Sequence, residues 1–331
     1  MTQPAGEPGP PTIGVDLGAT NVRCAVVDRS GNILGEVRGH TGEGGVHVVP
    51  TTAALVGQLR QDHPDATVVG VGAAGLVDRE GGVQYAPNIP AFRHTPLRTD
   101  LEAAIGLPVV VDNDANAAAW GEIVHGAARG ALYALMITLG SGIGGGIVAR
   151  GRVIRGAHGF AAEVGHFQID PDGPMCACGE RGHWEAFASG HALGRMGREW
   201  ARDGRAPRVL ARAGDDPDAV TGLHVGDSAQ ADEPDGRALL DEYAGYVAVG
   251  LAGLANILDP ERIVISGGLV ELGDTLLTPA RDAFARYIEG AEYRPMIPIV
   301  PAELGEHAGV IGAAARARDL LEPGRSGVWT K

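Results

Sequence analysis

Hydrophobic and polar residues alternate along the first half of this chain in short segments that predict strands and helices. Buried-type runs predict five strands, at 12–16, 22–28, 33–37, 67–71 and 109–111. Helical periodicity predicts helices near 48–60, 97–105 and 117–123. Because only tight turns separate the first three strands, they are expected to form an antiparallel meander.

The same order of elements returns in the second half. Strands are predicted at 132–139, 146–149, 153–154 and 262–266, with a glycine turn at 140–146. Helices are predicted at 236–257, 278–289 and 308–321. The stretch 200–236 has little periodicity and is expected to be a surface excursion. Two copies of one plan predict two similar α/β lobes that face one another, with the ligand site in the cleft between them.

The length and composition agree with two lobes. The chain has 331 residues and 44% hydrophobic content, enough for two cores. Residues 1–11 are rich in proline and glycine and are expected to be a disordered tail. We place the small lobe at 12–118, joined by the closing helix at 308–321, and the large lobe at 119–307.

Charge and hydropathy exclude several classes of function. The net charge is −14 and no basic stripe interrupts it, so nucleic acid is not an expected partner. No run approaches the roughly 20 apolar residues that span a bilayer, and no signal peptide is visible, so we expect a cytoplasmic protein without a membrane partner. Three cysteines, at 24, 176 and 178, are too few for a disulfide framework.

The basic residues are almost all arginine, because Lys331 is the only lysine. A P-loop lysine, a protein-kinase lysine and a Schiff base are therefore excluded. Any phosphate site must use backbone N–H groups, hydroxyls and a metal ion.

Two glycine turns are candidates for that site. Gly140 to Gly145 match the dinucleotide pattern G-x-G-x-x-G, but a strand follows them where the dinucleotide fold needs a helix, so an oxidoreductase is disfavoured. Thr20 in the first turn, and Thr138 and Ser141 in the second, add hydroxyls to an anion-binding nest. The alternative is a glycine hairpin without a ligand.

Two carboxylates could serve phosphoryl transfer. Asp16 precedes the first turn and could hold Mg²⁺ through water, or could simply form an Asx turn. Asp114 follows a buried strand in the segment Asp112-Asn113-Asp114-Ala115-Asn116, at the strand end where α/β sheets bind ligands. Spacing alone leaves two roles open for Asp114, general base and helix N-cap.

A second cluster contains metal-ligating side chains. His166, Cys176, Cys178 and His183 lie within 18 residues and suit a closed, structural zinc site. The alternative is a pair of ordinary thiols near surface histidines.

These motifs resemble those of the actin-like, ribonuclease-H-like ATPase folds, and more narrowly the ROK family of sugar kinases and repressors. The similar segments are the loop from Asp16 to Asn21, the loop from Leu139 to Gly145, and Ser266-Gly267-Gly268, which resembles an adenosine loop. The resemblance covers about 12–316. It implies these ATP-binding residues: Asp16, Gly18, Thr20, Asn21, Thr138, Gly140, Ser141, Gly142, Gly267 and Gly268.

The resemblance also implies a sugar site and a zinc loop at 166–185. The sugar-binding residues would be Asn88, Asn113, Asp114, Glu163, His166 and Glu185, with Asp114 as the general base. His183 stands where most members have a third cysteine, so the zinc would have a Cys₂His₂ ligand set in place of Cys₃His. His166 would use one ring nitrogen on zinc and the other on the sugar.

The activity that the resemblance implies is ATP- and magnesium-dependent phosphorylation of glucose at the 6-hydroxyl, by a homodimer or homotetramer. Open alternatives are a kinase for N-acetylmannosamine, mannose or fructose, and a non-catalytic sugar-binding protein. Family repressors carry an N-terminal helix-turn-helix, whereas only eleven residues precede the first strand here. Relatives that use polyphosphate lack the cysteine loop, so that donor is not expected.

Overall fold

The structure is a computed structural model that describes residues 9–87 and 89–321. These residues form two compact units. The first comprises 9–132, 146–162 and 303–321, and the second comprises 133–145 and 163–302. Most of the predicted tail at 1–11 lies outside the described residues.

Strands and helices alternate through both units, as expected of an α/β protein. The strands are β1 Thr12–Leu17, β2 Asn21–Val27, β3 Ile33–His40, β4 Val69–Ala73, β5 Leu76–Val77, β6 Val83–Tyr85, β7 Arg93–Thr95, β8 Val109–Asn113, β9 Ala134–Leu139, β10 Ile143–Ala149, β11 Arg152–Val153, β12 Arg262–Ser266 and β13 Ile299–Pro301. The helices are α1 Val48–Asp62, α2 Leu97–Ile105, α3 Asp114–His125, α4 Glu185–Ala188, α5 Gly190–Arg202, α6 Pro207–Arg212, α7 Gly222–Gln230, α8 Pro234–Leu258, α9 Asp274–Tyr287 and α10 Ala308–Leu321.

Two five-stranded sheets share one topology. The first has the order β3-β2-β1-β4-β8 and the second β11-β10-β9-β12-β13. In the first sheet β1 pairs antiparallel with β2 and parallel with β4, and β8 pairs parallel with β4. In the second, β12 pairs parallel with both β9 and β13, and β10 pairs antiparallel with β11. The duplicated plan predicted from the sequence is confirmed.

Small residues bring α10 against the first sheet. A Cβ on Gly14 would lie 1.9 Å from the Val310 carbonyl oxygen, and a Cβ on Gly70 would lie 1.8 Å from that of Ala313. Glycine is therefore required at both positions, because a side chain would displace the helix from β1 and β4.

The same helix crosses α3 at close range. A Cβ on Gly312 would lie 1.7 Å from the Ala117 carbonyl oxygen, and one on Gly121 would lie 2.6 Å from that of Ala308. The crossing fixes α3, and with it Asp114 at the first position of that helix.

Several elements differ from the prediction. A three-stranded sheet of β5, β6 and β7 was missed, because strands of two or three residues are too short for a period to show. The strand β10 begins at Ile143, inside the predicted glycine turn. The stretch 200–236 contains α6 and α7, and Val225 and Ala229 of α7 are buried.

The two lobes predicted at 12–118 with 308–321 and at 119–307 remain a prediction, and the two compact units have partly different boundaries. Residues 119–132 and 146–162 group with the first unit. The continuation of α3 to His125, packed along α10, accounts for the first of these segments.

Among the described residues, Pro234–Leu258 is the one helix with the length and hydropathy of a membrane span. Within its most apolar window, 61% is buried inside the structure, which is also the pattern of a buried core helix.

Candidate active site

The first glycine turn joins β1 to β2 in the first unit. The Gly18 N–H donates to the Asn21 carbonyl at 3.0 Å. Thr41, which is fully buried, donates its hydroxyl to the Ala19 carbonyl at 2.9 Å and its N–H to the Thr20 carbonyl at 3.1 Å. The buried Thr41 thus holds the backbone of the turn, while the side chains of Thr20 and Asn21 are exposed. Sequence reasoning missed Thr41, which no motif marks.

Asp16 lies on β1 directly before this turn. Burial and, to a lesser extent, the negative charge of Asp114 raise the pKa of its carboxyl to about 6, against the opposing effect of Arg23. A Cβ on Gly309, the second residue of α10, would lie 3.0 Å from the Asp16 Cγ, so glycine leaves room for the carboxylate. A partly buried carboxylate next to a second carboxylate is a site that favours a cation.

Asp114 is the first residue of α3, and the helix cap is its neighbour. Asn113 accepts from the Asn116 N–H at 3.1 Å, so Asn113 is the N-cap. The Asp114 carboxylate accepts from the Ala115 N–H at 2.8 Å. Burial raises the pKa of Asp114, against the opposing effect of hydrogen bonds from Ala115 and Asn113. Asn113, and not Asp114, is therefore the N-cap of α3.

Asp112 accepts hydrogen bonds from both Asn113 and Asn116, and the sequence analysis did not identify it as a site residue. Its carboxylate accepts from the Asn113 N–H at 2.9 Å and from the Asn116 amide at 3.2 Å. Arg155 lies 3.2 Å from the same oxygen, and both members of this pair are buried. Asn113 also donates its amide to the Gly75 carbonyl at 3.0 Å, which fixes its side chain.

The second glycine loop belongs to the second unit. The Gly140 N–H donates to the Gly142 carbonyl at 3.0 Å, which closes the turn. The Gly140 carbonyl accepts at 2.7 Å from the N–H of Gly190, the first residue of α5. Ser141 at the tip of the turn is exposed.

The predicted adenosine loop lies beside that glycine loop. Thr138 and Ser266 are paired in register on the parallel strands β9 and β12, and their hydroxyl oxygens are 3.0 Å apart. Gly267 has a φ of 86°, and a Cβ there would lie 2.3 Å from the Leu139 carbonyl oxygen. Only glycine fits this position, so the chain can turn directly into the short 3₁₀ helix at Gly268–Leu272.

Three predicted sugar-binding residues lie near the start of β10. The Glu185 carboxylate accepts from the Ile143 N–H at 2.8 Å. A Cβ on Gly165 would lie 2.4 Å from the Ile143 carbonyl oxygen, so the 3₁₀ turn Val164–His166 packs on the same residue. Glu163 directly precedes that turn and is exposed.

The four predicted metal ligands converge in the second unit. One ligand atom from each of His166, Cys176, Cys178 and His183 lies within 4.8 Å of the others. The Cys176 Sγ is 3.8 Å from the His166 Nδ1, and the Cys178 Sγ is 3.2 Å from the His183 Nδ1. Ligands on a tetrahedral zinc, with bonds of about 2.0–2.3 Å, lie roughly 3.3–3.8 Å apart. The two Sγ–Nδ1 distances are close to that spacing, and thiolate and imidazole are the ligand types that zinc binds.

The candidate metal cluster contacts the predicted sugar residues through Glu185, whose carboxylate lies 3.4 Å from the Cys176 Sγ. The loop is also braced by its own backbone. The Cys176 N–H donates to the Glu180 carbonyl at 2.8 Å, and the Gly182 N–H donates to the Pro174 carbonyl at 2.9 Å.

The structure thus groups the predicted site residues into two sets, one in each unit. The first unit holds Asp16, Gly18, Thr20, Asn21, Asn113 and Asp114. The second unit holds Thr138, Gly140, Ser141, Gly142, Glu163, His166, Cys176, Cys178, His183, Glu185, Gly267 and Gly268. Asn88 lies outside the described residues.

The model of the ROK family matches residues 12–319, nearly the whole chain. The chain belongs to the ROK family. This ROK protein is 42% identical over 311 residues to a glucokinase of Streptomyces coelicolor, an alignment that covers 93% of this chain and 98% of the relative.

Solved structures of ROK enzymes are similar throughout. A ROK family glucokinase from Streptomyces griseus, in complex with glucose and AMPPNP, has a TM-score of 0.82 and 41% identity, covering 93% of this chain and 99% of that one. A ROK hexokinase from Thermus thermophilus has a TM-score of 0.79 and 35% identity, covering 95% and 100%. The predicted actin-like ATPase fold is confirmed.

Proposed function

We propose that this ROK protein transfers the γ-phosphoryl group of ATP to the 6-hydroxyl of glucose, with Asp114 as the general base. The observation that carries the proposal is the environment of Asp114, a partly buried carboxylate of raised pKa at the start of α3, beside the fixed Asn113. The similar Streptomyces griseus enzyme, which binds glucose and the ATP analogue AMPPNP, supports both the sugar and the donor.

Asp114 would accept the proton of the 6-hydroxyl while that oxygen attacks the γ-phosphorus. A new P–O bond forms, the bond to the β-phosphate oxygen breaks, and ADP leaves with the electron pair. The reaction needs little covalent chemistry from the protein, so orientation of the hydroxyl provides much of the rate. The raised pKa makes the Asp114 carboxylate a stronger base than an exposed aspartate.

The two glycine loops are the proposed ATP-binding elements. The turn at Gly18–Asn21 and the loop at Gly140–Gly142 offer backbone N–H groups and the hydroxyls of Thr20 and Ser141. Gly267 and Gly268 would contact the adenosine. Asp16 is the residue that would hold Mg²⁺ through water, and the ion would neutralise charge on the phosphates.

The sugar would be bound by Asn88, Asn113, Glu163, His166 and Glu185, in addition to Asp114. His166, Cys176, Cys178 and His183 would hold a structural zinc that stabilises the loop at 166–185. Glu185 would then have two roles, since its carboxylate contacts Cys176 and accepts from the Ile143 N–H.

A second candidate function is phosphorylation of another hexose, such as mannose, fructose or N-acetylmannosamine. The similar Thermus thermophilus protein is described as a hexokinase, which favours this alternative over a non-catalytic role. We also propose that the protein is cytoplasmic and forms a homodimer or homotetramer. We expect it to bind neither nucleic acid nor a membrane.

A coupled assay with purified protein, MgATP and a panel of hexoses tests the proposal. We expect the highest kcat/KM with glucose, and a product whose phosphate is assigned to the 6-position by NMR. A higher kcat/KM for another hexose would replace glucose by that sugar. An absence of ADP formation with every hexose would contradict kinase activity.

A further inference from the structure

Four arginines line one cavity of about 250 Å³ in the first unit, beside the edge strand β8. They are Arg79, Arg98, Arg155 and Arg316, and they come from four separate segments of the chain. Among the described residues, Glu80 is the only acidic one that lines the cavity. The remaining lining residues are Gly81, Val110 and Val111.

This concentration of positive charge contrasts with the rest of the protein, whose formal net charge is −14. Asp112 and Asp319 neutralise Arg155 and Arg316 in part, because each forms an ion pair with one of them. Arg79 and Arg98 are not members of those two ion pairs. They add two positive charges to the cavity, against the one negative charge of Glu80. The cavity is therefore locally positive within an acidic protein, which favours a bound anion.

The two inner arginines are held in place. Arg155 is 7% exposed, with its Nε 3.2 Å from the Asp112 carboxylate and its Nη2 donating to the Asp78 carbonyl at 3.1 Å. Arg316 is 8% exposed and donates to Asp319. Burial lowers the pKa of Arg316, the negative charges of Asp319 and Asp112 oppose that shift, and the positive charge of Arg155 adds to it. A bound anion would relieve the repulsion between these guanidinium groups.

The other two arginines, Arg79 and Arg98, are exposed, and different contacts position each of them. Arg79 donates its Nε and Nη2 to the Gly156 carbonyl at 3.0 and 2.5 Å, so its guanidinium is fixed before any ligand arrives. Arg98 belongs to α2, and its Cβ would be 3.0 Å from a Cβ on Gly81, so its stem packs on the turn between β5 and β6.

We propose that this cavity is a binding site for a small phosphate-bearing anion. Guanidinium groups bind the oxygens of phosphate through paired, charge-assisted hydrogen bonds, and arginine is better suited to this than lysine. The volume is below the roughly 300–1,000 Å³ of pockets that enclose drug-sized ligands, which limits the ligand to inorganic phosphate or a small phosphate ester. The site does not depend on the proposed kinase activity.

Calorimetric titration at low ionic strength tests the site, with inorganic phosphate and glucose 6-phosphate as ligands and uncharged glucose as a comparison. We expect at least one of the phosphates to bind with a Kd of about 1 mM or below. Arg79→Ala/Arg98→Ala should weaken this binding by about tenfold or more, since two charged contacts are lost. The double variant Arg79→Lys/Arg98→Lys should retain more of the affinity.

The matched control is Arg93→Ala/Arg129→Ala, which removes the same charge from exposed positions of the first unit that do not line the cavity. It should leave the Kd unchanged. Arg98→Glu tests the site without touching the Arg79 contact with Gly156, and should abolish binding. Because glucose 6-phosphate is also the product of the proposed kinase, only the affinity that Arg98→Glu removes is assigned to this cavity. An equal loss for phosphate and for glucose 6-phosphate would indicate recognition of the phosphate group alone, and a larger loss for the ester would indicate a phosphosugar.

Two results would overturn the site. One is the absence of binding by both phosphates in the unmodified protein. The other is an affinity that is the same in the unmodified protein and in Arg98→Glu, because the anion would then be bound elsewhere.

Discussion

Asp16 and Asp114 are two carboxylates in the first unit whose charges interact, since the charge of Asp114 helps to raise the pKa of Asp16. Their backbone settings differ. Asp16 is the second-to-last residue of β1, before a glycine turn, and Asp114 begins a helix whose cap is Asn113. The difference suits the two proposed roles, a metal-binding residue at the turn and a base at the helix start.

Asp114→Asn should lower kcat by about 10²–10⁴-fold, because general-base catalysis contributes about that factor. The KM for glucose should change little, since asparagine keeps the size of the side chain and can still hydrogen-bond a sugar hydroxyl. Steady-state kinetics with MgATP measures both constants. Undiminished kcat in the variant would contradict the role of Asp114.

The same substitution should stabilise the folded protein at neutral pH. The pKa of Asp114 is raised above that of the unfolded chain, so the folded state binds the proton more tightly. Stability from this group is present below the ordinary pKa of about 3.9 and is lost as pH rises through the folded pKa. Ionised Asp114 therefore costs stability at pH 7, and asparagine removes that cost.

Thermal melts of the two proteins across a pH series measure this effect. The gain in Tm from Asp114→Asn should be largest near neutral pH and should shrink as the pH is lowered. Asp65→Asn, at an exposed position of the same unit, is the control and should give no such pH-dependent gain. A variant that is less stable than the unmodified protein at pH 7 would contradict the burial argument.

At the scale of elements, α10 depends on glycine to lie close to α3. Gly312→Ala would place a Cβ 1.7 Å from the Ala117 carbonyl oxygen, which the helices can relieve only by moving apart. We expect a loss of about 1–3 kcal/mol or more in the free energy of unfolding, as for other overpacked cores. Chemical denaturation measures the loss.

Gly57→Ala is the matched control, because it lies within α1 and a Cβ there would contact nothing within 4 Å in the described part of the chain. That substitution should be neutral or stabilising by about 0.5–1 kcal/mol, since alanine favours the helix. Equal effects of the two substitutions would show that the helix crossing is not tight.

The loop at 166–185 should bind about one zinc per chain, with His183 as a ligand. His183→Ala should lose most of this zinc on dialysis against a chelator, and His183→Cys should retain it, because thiolate is an equally good zinc ligand. Elemental analysis measures the content. Cys24→Ala, in the buried strand β2, should keep its zinc. Fully active protein without zinc would contradict a structural role for the metal.

At the scale of the molecule, one topology is used twice for different purposes. Both sheets place a glycine turn after their first strand, at 18–20 and at 140–142. The first copy adds β5, β6 and β7. Where the first copy has α1 between β3 and β4, the second has the candidate metal loop and the five helices α4 to α8 between β11 and β12. The insertions therefore carry the features that distinguish the two copies, and the shared sheets carry the turns proposed to bind phosphate.

The sequence by itself determined the features that depend on neighbouring residues. The meander of β1 to β3 follows from short turns between apolar runs, and the candidate metal ligands could be found because all four lie within 18 residues. The helix at 97–105 and the strand at 262–266 were predicted with the bounds that the structure has. Recognition of the family came from loops of six or seven residues.

Only the tertiary structure decided the features that join distant segments. The pair Asp112 and Arg155, the raised pKa of Asp114, and the convergence of four arginines on one cavity have no signal in local spacing. Burial and ion pairing depend on which residues the folded chain brings together, and charge alone does not specify a partner. A sequence pattern can predict the chemistry of a loop, but it cannot predict the electrostatic environment that the rest of the fold gives to it.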